Sequence, residues 1–200
     1  WLVKEAPDMD RLLDEQLKKL DVDFLDFYLL HALDLAAFRR LKSLGYQEFL
    51  KRAQTDGRIR HTGFSFHDGK DAFIEIIDDY PWDMAQIQFN YLDDEAQATL
   101  EGLQYAGKRG VPVVVMEPLR GGALANPPPE VKHLIDGNKR GYSPVEWAFR
   151  YCGQYSEVAT ILSGMSSMEQ VEDNLRVFEH TSPGNLDLQD QAFVKTLKDA

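Results

Sequence analysis

The chain has 200 residues, of which 44% are hydrophobic and 28% are charged, a composition typical of a globular protein with one sizeable core. Its net charge of −11, from 33 acidic and 22 basic residues, repels phosphate backbones and anionic lipid head groups, so we expect neither nucleic acid nor a membrane surface as a partner. The single cysteine, Cys152, cannot form an internal disulfide, and no apolar run is long enough to span a bilayer, which together favour a cytoplasmic protein.

The front of the chain is predicted to contain a helix and then a strand. Leucines repeat at helical spacing between residues 12 and 20, and Asp8 or Asp10 can cap that helix. Residues 24–31, with the sequence FLDFYLLH, form an apolar strand. Trp1–Val3 is also strand-like and runs straight into the helix, so we expect the chain to begin partway through a fold.

The same alternation of helix and strand continues to the end of the chain. Residues 36–55 are predicted as one helix, and the segment 120–142, rich in Gly and Pro, as a loop. Ser143 caps the next helix, with Pro144 at its first position. The later strands are predicted at residues 59–66, 83–90, 111–117 and 157–163, each separated from the next by a helix.

Strands that alternate with helices indicate an α/β fold with right-handed crossovers and a parallel sheet. No Gly-x-Gly-x-x-Gly follows a strand, so a TIM-type barrel is favoured over a dinucleotide-binding fold. Because a (β/α)8 barrel has eight strands, we expect an incomplete one, with strands 4 to 8 present. Residues 1–200 would form this single domain, and the unpaired edge of its first strand predicts self-association.

Polar side chains end several of the predicted strands. His31 ends the first, Ser65 lies near the end of the second, and Gln86, Gln88 and Asn90 share one face of the third. A lone histidine at a strand end is more often structural than catalytic, and three inward amides form a hydrogen-bond network about as often as a ligand site. Their common location favours function, because active sites of parallel barrels lie at the carboxyl ends of the strands.

Two later segments predict ligand binding, each with a simpler alternative. Gly121 and Gly122 permit close approach of a ligand to the backbone, and Arg120 can pair with phosphate, although the segment is also consistent with an ordinary surface loop. Ser166 or Ser167 begins a helix whose first N–H groups could bind an anion, and plain helix capping is the alternative.

Five segments of the sequence resemble, in order, motifs of the aldo-keto reductase family. They are DFYLLH, GFS, AQIQFNY, MEPLRGGAL and GMSSMEQVEDNL. The resemblance implies a barrel that binds NADP or NAD and moves hydride between the nicotinamide and a small-molecule carbonyl substrate. The branch resembled is a bacterial one in which an iron-sulfur segment often follows the barrel, so such a cluster is expected only in a segment absent from this sequence.

The resemblance also implies roles for individual residues. His31 matches the catalytic histidine that orients and polarises the substrate carbonyl. Ser65 and Gln86 match residues that bind the nicotinamide carboxamide, and Met116 takes the position of an aromatic residue that stacks on the nicotinamide. The remaining implied cofactor-binding residues are Leu119, Arg120, Gly121 and Gly122 along the pyrophosphate, and Gly164, Ser166, Gln170 and Asn174 at the adenosine end.

The sequence departs from the family pattern at several positions. Phe66 replaces a common Asn, and Gly164 and Gln170 replace basic residues that hold the 2′-phosphate of NADP, so NAD and NADP both stay open. The family's catalytic Asp, Tyr and Lys lie on front units that this chain lacks. Without the tyrosine, which is the proton donor, carbonyl reduction by this chain alone should be very slow.

Two functions other than a reductase could use the same strand ends. A nucleotide-binding or interaction module without turnover would keep the same cofactor surface. A metal-dependent barrel hydrolase is disfavoured, and no metal site is predicted, because the strand ends supply one clear histidine and almost no acids.

Overall fold

The computed structural model describes residues 2–200, and in this part of the chain strands alternate with helices. The strands are β1 (Leu25–Leu33), β2 (Ile59–Phe66), β3 (Met84–Gln88), β4 (Val113–Met116) and β5 (Val158–Ile161). The helices are α1 (Pro7–Leu20), α2 (Leu35–Ser43), α3 (Tyr46–Thr55), α4 (Lys70–Asp79), α5 (Thr99–Lys108), α6 (Pro129–Asp136), α7 (Pro144–Gly153), α8 (Met168–Phe178) and α9 (Leu188–Asp199), with a short 3-10 turn at Arg120–Gly122.

The described residues form one five-stranded parallel sheet, whose strands follow chain order from β1 to β5. This confirms the predicted α/β fold with a parallel sheet. Because all strands run the same way, their carboxyl ends meet at one edge of the sheet, which we call the carboxyl rim. Within residues 2–200, β1 and β5 are the outer strands, and the predicted incomplete barrel and its self-association stay predictions.

Aromatic side chains fill much of the space between the sheet and its helices. Phe64 and Phe66 on β2 are fully buried and pack on Phe73 of α4, with ring centroids 5.8 and 5.2 Å apart. Trp82, just before β3, lies 5.0 Å from the Phe64 ring and donates its indole N–H to the Ile76 carbonyl. Alternate residues of β2 therefore fix the helix layer, and the residues between them face the other side of the sheet.

Two predicted segments differ from the structure in their helices. The single helix predicted at 36–55 is wrong, because Gly45 adopts φ +76° and separates α2 from α3. The segment 120–142, predicted as a loop, contains α6, which begins at Pro129. The proline run 127–129 that suggested a loop places a proline at the first position of the helix, where no N–H is needed.

The front of the chain also differs from prediction. Helix α1 begins at Pro7 and has no side-chain cap; the Asp8 carboxylate instead accepts the N–H groups of Lys4 and Glu5. Leu2 and Val3 have no regular secondary structure, and Trp1, the start of the strand-like stretch, lies outside the described residues. None of the helices within residues 2–200 has the length and apolar character that crossing a bilayer requires.

Strand bounds agree for β2, and the other strands differ at their ends. The structure extends β1 from the predicted end at His31 to Leu33 and ends β3 at Gln88, so Asn90 lies beyond the strand. Strands β4 and β5 are shorter than predicted. In β4 the change follows the backbone, because Glu117 adopts φ +56° and cannot continue a strand.

Candidate active site

Backbone strain concentrates at the carboxyl rim. Among the described residues, the non-glycine positions with positive φ include Ala32 near the carboxyl end of β1, Gln97 in the loop after β3, Thr99 at the start of α5, and Glu117 and Arg120 after β4. Such conformations are costly for residues with a side chain and persist where the surroundings enforce them, often at functional sites. The strained backbone therefore favours a functional site at the carboxyl rim.

A bulge at the end of β1 sets the position of His31. Leu30 pairs with Phe64 and Leu33 with Phe66, so His31 and Ala32 together lie opposite Ser65. The Ala32 N–H donates to the Ser65 hydroxyl oxygen at 2.7 Å, and the His31 side chain is exposed. The imidazole thus projects from the rim, one residue from the contact that joins β1 to β2.

The loops that follow β1 and β2 are joined by a carboxylate. Asp68 accepts the Leu35 N–H at 2.9 Å and the Gly69 N–H at 2.7 Å. These two backbone donors hold the pKa of the Asp68 carboxyl below its ordinary value, and the Leu35 N–H has the larger effect. The His67 N–H also donates to the Leu33 carbonyl at 2.9 Å, so the rim beside His31 is fixed from both loops.

Ser65, Gln86 and Met116 lie side by side on neighbouring strands. Ser65 is the register partner of Gln86, and Met116 is one strand further along, with its sulfur 3.5 Å from Gln86 Nε2. Within residues 2–200, no acceptor takes the Ser65 hydroxyl proton and no donor reaches Gln86 Oε1. A thioether is a weak acceptor, so this group retains hydrogen-bonding capacity for a ligand.

Asn90 and Gln88, which the sequence placed on one face with Gln86, have separate roles. Asn90 is fully buried; its Oδ1 accepts the N–H groups of Leu92 and Asp93, and its Nδ2 donates to Asp93 and to the Glu117 carbonyl. Asn90 therefore belongs to an internal hydrogen-bond network, the first of the two alternatives given for the three amides. Gln88 accepts a hydrogen bond from the side chain of Gln97.

The loop after β4 satisfies its polar groups internally. The Glu117 carboxylate accepts the Gly121 N–H, and Arg120 Nε lies 3.1 Å from the Asp93 carboxylate. The Gly122 N–H donates to the Leu119 carbonyl at 2.9 Å. The predicted pyrophosphate segment thus lies at the rim in a turn stabilised by two of the protein's own acids.

A cleft of about 260 Å³ brings together four residues that the sequence assigned to the adenosine end and its approach. Ser166 lies beside it, with its N–H and hydroxyl on Gln170 Oε1, and Asn174 donates to the Ser163 hydroxyl at 2.9 Å. Ser167 caps α8 by accepting the Gln170 N–H, which is the simpler of the two alternatives for this helix. The cleft is lined by Leu119, Ala125, Val145, Ser163, Gly164, Met165, Glu169, Gln170, Asp173 and Asn174.

His31 lines a different cleft. This cleft, about 520 Å³ in volume, runs along the outer edge of β1 and is mostly apolar, with Leu2, Val3 and Arg40 among its lining residues. His31 and Gln86 nevertheless lie at the same edge of the sheet, because Ser65 contacts Ala32 and pairs with Gln86. His31 and the residues predicted at the adenosine end therefore line separate clefts, one beside each outer strand of the sheet.

Two residues of the rim, Asp93 and Glu117, were not assigned a site role from the sequence. Asp93 follows an Asx-type turn in which Asn90 Oδ1 accepts the N–H of Leu92, and an Asn at the end of a predicted strand can suggest such a turn. Glu117 gave no such signal, because its left-handed backbone and its contact with Gly121 depend on the packing of the loop.

The chain is similar to known proteins over most of its length. The model of the Aldo/keto reductase family matches residues 4–184. L-galactose dehydrogenase of Arabidopsis thaliana is 25% identical over 178 residues, which cover 82% of this chain and 55% of that protein. The chain therefore spans about half the length of that relative.

Two solved structures illustrate the similarity of fold. The holo form of an aldo-keto reductase from Bacillus halodurans matches with a TM-score of 0.78 and 23% identity, over 98% of this chain and 69% of that one. An aldo-keto reductase from Klebsiella pneumoniae, in complex with NADPH, matches with a TM-score of 0.72 and 19% identity, over 95% of this chain and 64% of that one. At these identities the similarity establishes the fold.

Proposed function

Because the chain belongs to the aldo/keto reductase family, we propose that it provides the cofactor-binding part of an oxidoreductase that moves hydride between a nicotinamide dinucleotide and a small-molecule carbonyl or alcohol. The observation that carries this proposal is the direct register of Ser65 with Gln86, at the edge where β1 delivers His31. The NADPH bound to the Klebsiella pneumoniae relative supports the cofactor class.

The groups left open at the rim fit a nicotinamide carboxamide. The Ser65 hydroxyl can donate to the carboxamide oxygen, and Gln86 Oε1 can accept from its NH2 group. Met116 lies beside Gln86, where a polarisable side chain can contact the flat ring. When bound, the nicotinamide supplies or accepts the hydride; these protein groups determine which face of the ring is presented.

The rest of the dinucleotide is proposed to follow the rim toward α8. Leu119, Arg120, Gly121 and Gly122 would lie along the pyrophosphate, with Gly164, Ser166, Gln170 and Asn174 around the adenosine. The cleft there carries the acids Glu169 and Asp173, and within the described residues no Lys or Arg lines it. An added 2′-phosphate would lie near these carboxylates, so we expect NAD to bind more tightly than NADP.

His31 is proposed to act on the substrate. An imidazole N–H next to the carbonyl oxygen stabilises the negative charge that develops there during hydride transfer. The Asp, Tyr and Lys that complete the reaction in this family have no counterparts on β1 to β5. We therefore propose that this chain alone binds the dinucleotide, and that turnover requires the units that carry those three residues.

Titration of the chain with NADH and with NADPH tests the proposal, with nicotinamide fluorescence as the readout. We expect saturable binding, weaker by about tenfold in Gln86→Leu, because the carboxamide loses a partner worth roughly 1.4 kcal/mol. Gln104→Leu, at an exposed position on α5, is the matched control and should bind like the wild type.

Two results would contradict the proposal in different ways. If neither NADH nor NADPH bound, the proposed cofactor site would be contradicted. Binding without reductase activity, even after addition of a chain that supplies βα units with the family's Asp, Tyr and Lys, would favour a nucleotide-binding module over an enzyme.

A further inference from the structure

The loop after β4 holds one of its own carboxylates where an anionic ligand would bind. Glu117 begins the loop with φ +56°, and its carboxylate turns forward to accept the Gly121 N–H. Arg120 and Gly121 also have left-handed φ, of +49° and +62°, which together curl the segment around that carboxylate. Backbone N–H groups in such turns are favourable contacts for anions.

A second carboxylate neutralises the only arginine of this loop. Arg120 Nε lies 3.1 Å from Asp93 Oδ2, and Asn90 fixes Asp93 by donating to the same oxygen at 3.0 Å. Asn90 also donates to the Glu117 carbonyl at 3.1 Å, so one buried amide positions both acidic residues. The two acids therefore belong to a single arrangement that joins the loops after β3 and β4.

These contacts are exposed enough to be exchanged. The Arg120 side chain is 53% exposed and that of Asp93 is 28% exposed, so their attraction is weakened by solvent. Glu117 and Gly121 are also exposed. By contrast Asn90, which holds the arrangement in place, is fully buried and keeps its own bonds whichever anion is present.

We propose that Glu117 and Asp93 are internal competitors of the dinucleotide pyrophosphate. In the structure they accept from the Gly121 N–H and pair with the Arg120 guanidinium, and the pyrophosphate takes over these two donors when it binds. Glu117 and Asp93 are thus positioning residues. They keep the loop in the conformation that binds the pyrophosphate, and they lower the affinity of the protein for the dinucleotide. This inference rests on the proposed function, because it assumes a dinucleotide at this rim.

The test compares the dissociation constants of NADH for the wild type and for Glu117→Gln. The glutamine keeps an oxygen for the Gly121 N–H but loses the charge, so we expect binding to tighten by about fivefold, the effect of one unit charge about 4 Å away in water. Asp93→Asn, which releases Arg120, should tighten binding in the same direction. Glu179→Gln, at an exposed position at the end of α8, removes the same charge and should leave binding unchanged.

Salt provides a readout that a purely structural role would not affect. The difference between wild type and Glu117→Gln should shrink as ionic strength rises, because the competition is between exposed charges. Thermal unfolding of both variants verifies that the loop change does not alter the fold. Wild-type binding with unchanged or weaker binding in Glu117→Gln overturns this inference alone, whereas no NADH binding by any of the chains overturns it together with the proposed function.

Discussion

Arginines at the two edges of the sheet have different surroundings. The amino ends of the strands meet at the opposite edge of the sheet, which we call the amino edge. There Arg58, just before β2, contacts three carboxylates, those of Asp10, Asp14 and Asp56, and its side chain is 20% exposed. At the carboxyl rim, Arg120 contacts one carboxylate and is 53% exposed. The first arrangement fixes α1 to the sheet, and the second leaves a cation that a ligand can recruit.

The two edges of the sheet also differ in backbone strain, which is greater at the carboxyl rim. Left-handed non-glycine residues lie mainly at the carboxyl rim, whereas turns at the amino edge use glycines such as Gly57 and Gly110. Glycine adopts these conformations without a steric penalty, so the amino edge stores little strain. The division matches the barrel rule that stability is concentrated at the amino ends of the strands and chemistry at their carboxyl ends.

The largest expected effect comes from breaking the amino edge. Arg58→Ala should lower the free energy of unfolding by about 2–3 kcal/mol, because three carboxylates lose their shared cation and repel one another. Urea denaturation measures this change, and NADH affinity of the folded protein should not alter.

Arg60→Ala is the matched control for this prediction. Arg60 lies two residues further along, on β2, but is 57% exposed and pairs with the single carboxylate of Asp26, so its loss should cost less than about 1 kcal/mol. Equal effects of the two substitutions, or a weakened NADH affinity in Arg58→Ala, would contradict the division between the edges.

An intermediate effect on stability is expected at the carboxyl rim, where Ser65 is proposed to serve both the fold and ligand binding. Ser65→Ala removes the acceptor of the Ala32 N–H and should destabilise the fold by about 1–2 kcal/mol, because that N–H is left without its partner. It should also weaken NADH binding. Ser182→Ala, at an exposed position, is the control, and an unchanged NADH affinity in Ser65→Ala would limit Ser65 to a structural role.

Local signals in the sequence were sufficient for much of the fold. The bounds of β2 and the cap at Ser143 with Pro144 follow from patterns within a few residues, and both are confirmed. The parallel order of strands followed from their alternation with helices. The separation of α2 from α3 was missed because a single glycine within a helical pattern can be tolerated, whereas Gly45 adopts φ +76° and ends the pattern.

The candidate site was less predictable, because its geometry depends on contacts between distant segments. At the bulge beside His31, the Ala32 N–H donates to Ser65, 33 residues further along the chain. The role of Asn90 likewise depends on Glu117, 27 residues away. Motif order predicted which residues lie at the rim, whereas their hydrogen-bond partners required the folded chain.

The smallest expected effect concerns acid stability at the rim. The N–H groups of Leu35 and Gly69 favour ionised Asp68 and lower its pKa below the ordinary value of 3.8. The contribution of Asp68 is therefore fully present above that value and is lost as the pH falls through the lowered pKa. Asp68→Asn should cost about 1 kcal/mol near neutral pH, since an amide oxygen is a weaker acceptor than a carboxylate.

The difference between wild type and Asp68→Asn should disappear in strong acid, because the protonated wild-type carboxyl also loses its charge. Urea denaturation over the acid range measures this convergence. Asp23→Asn, at an exposed position before β1, should show no such pH-dependent difference. If the difference instead persisted at the lowest pH, the contribution of Asp68 would come from the shape of its side chain, and the joining of the two loops beside His31 would not depend on charge.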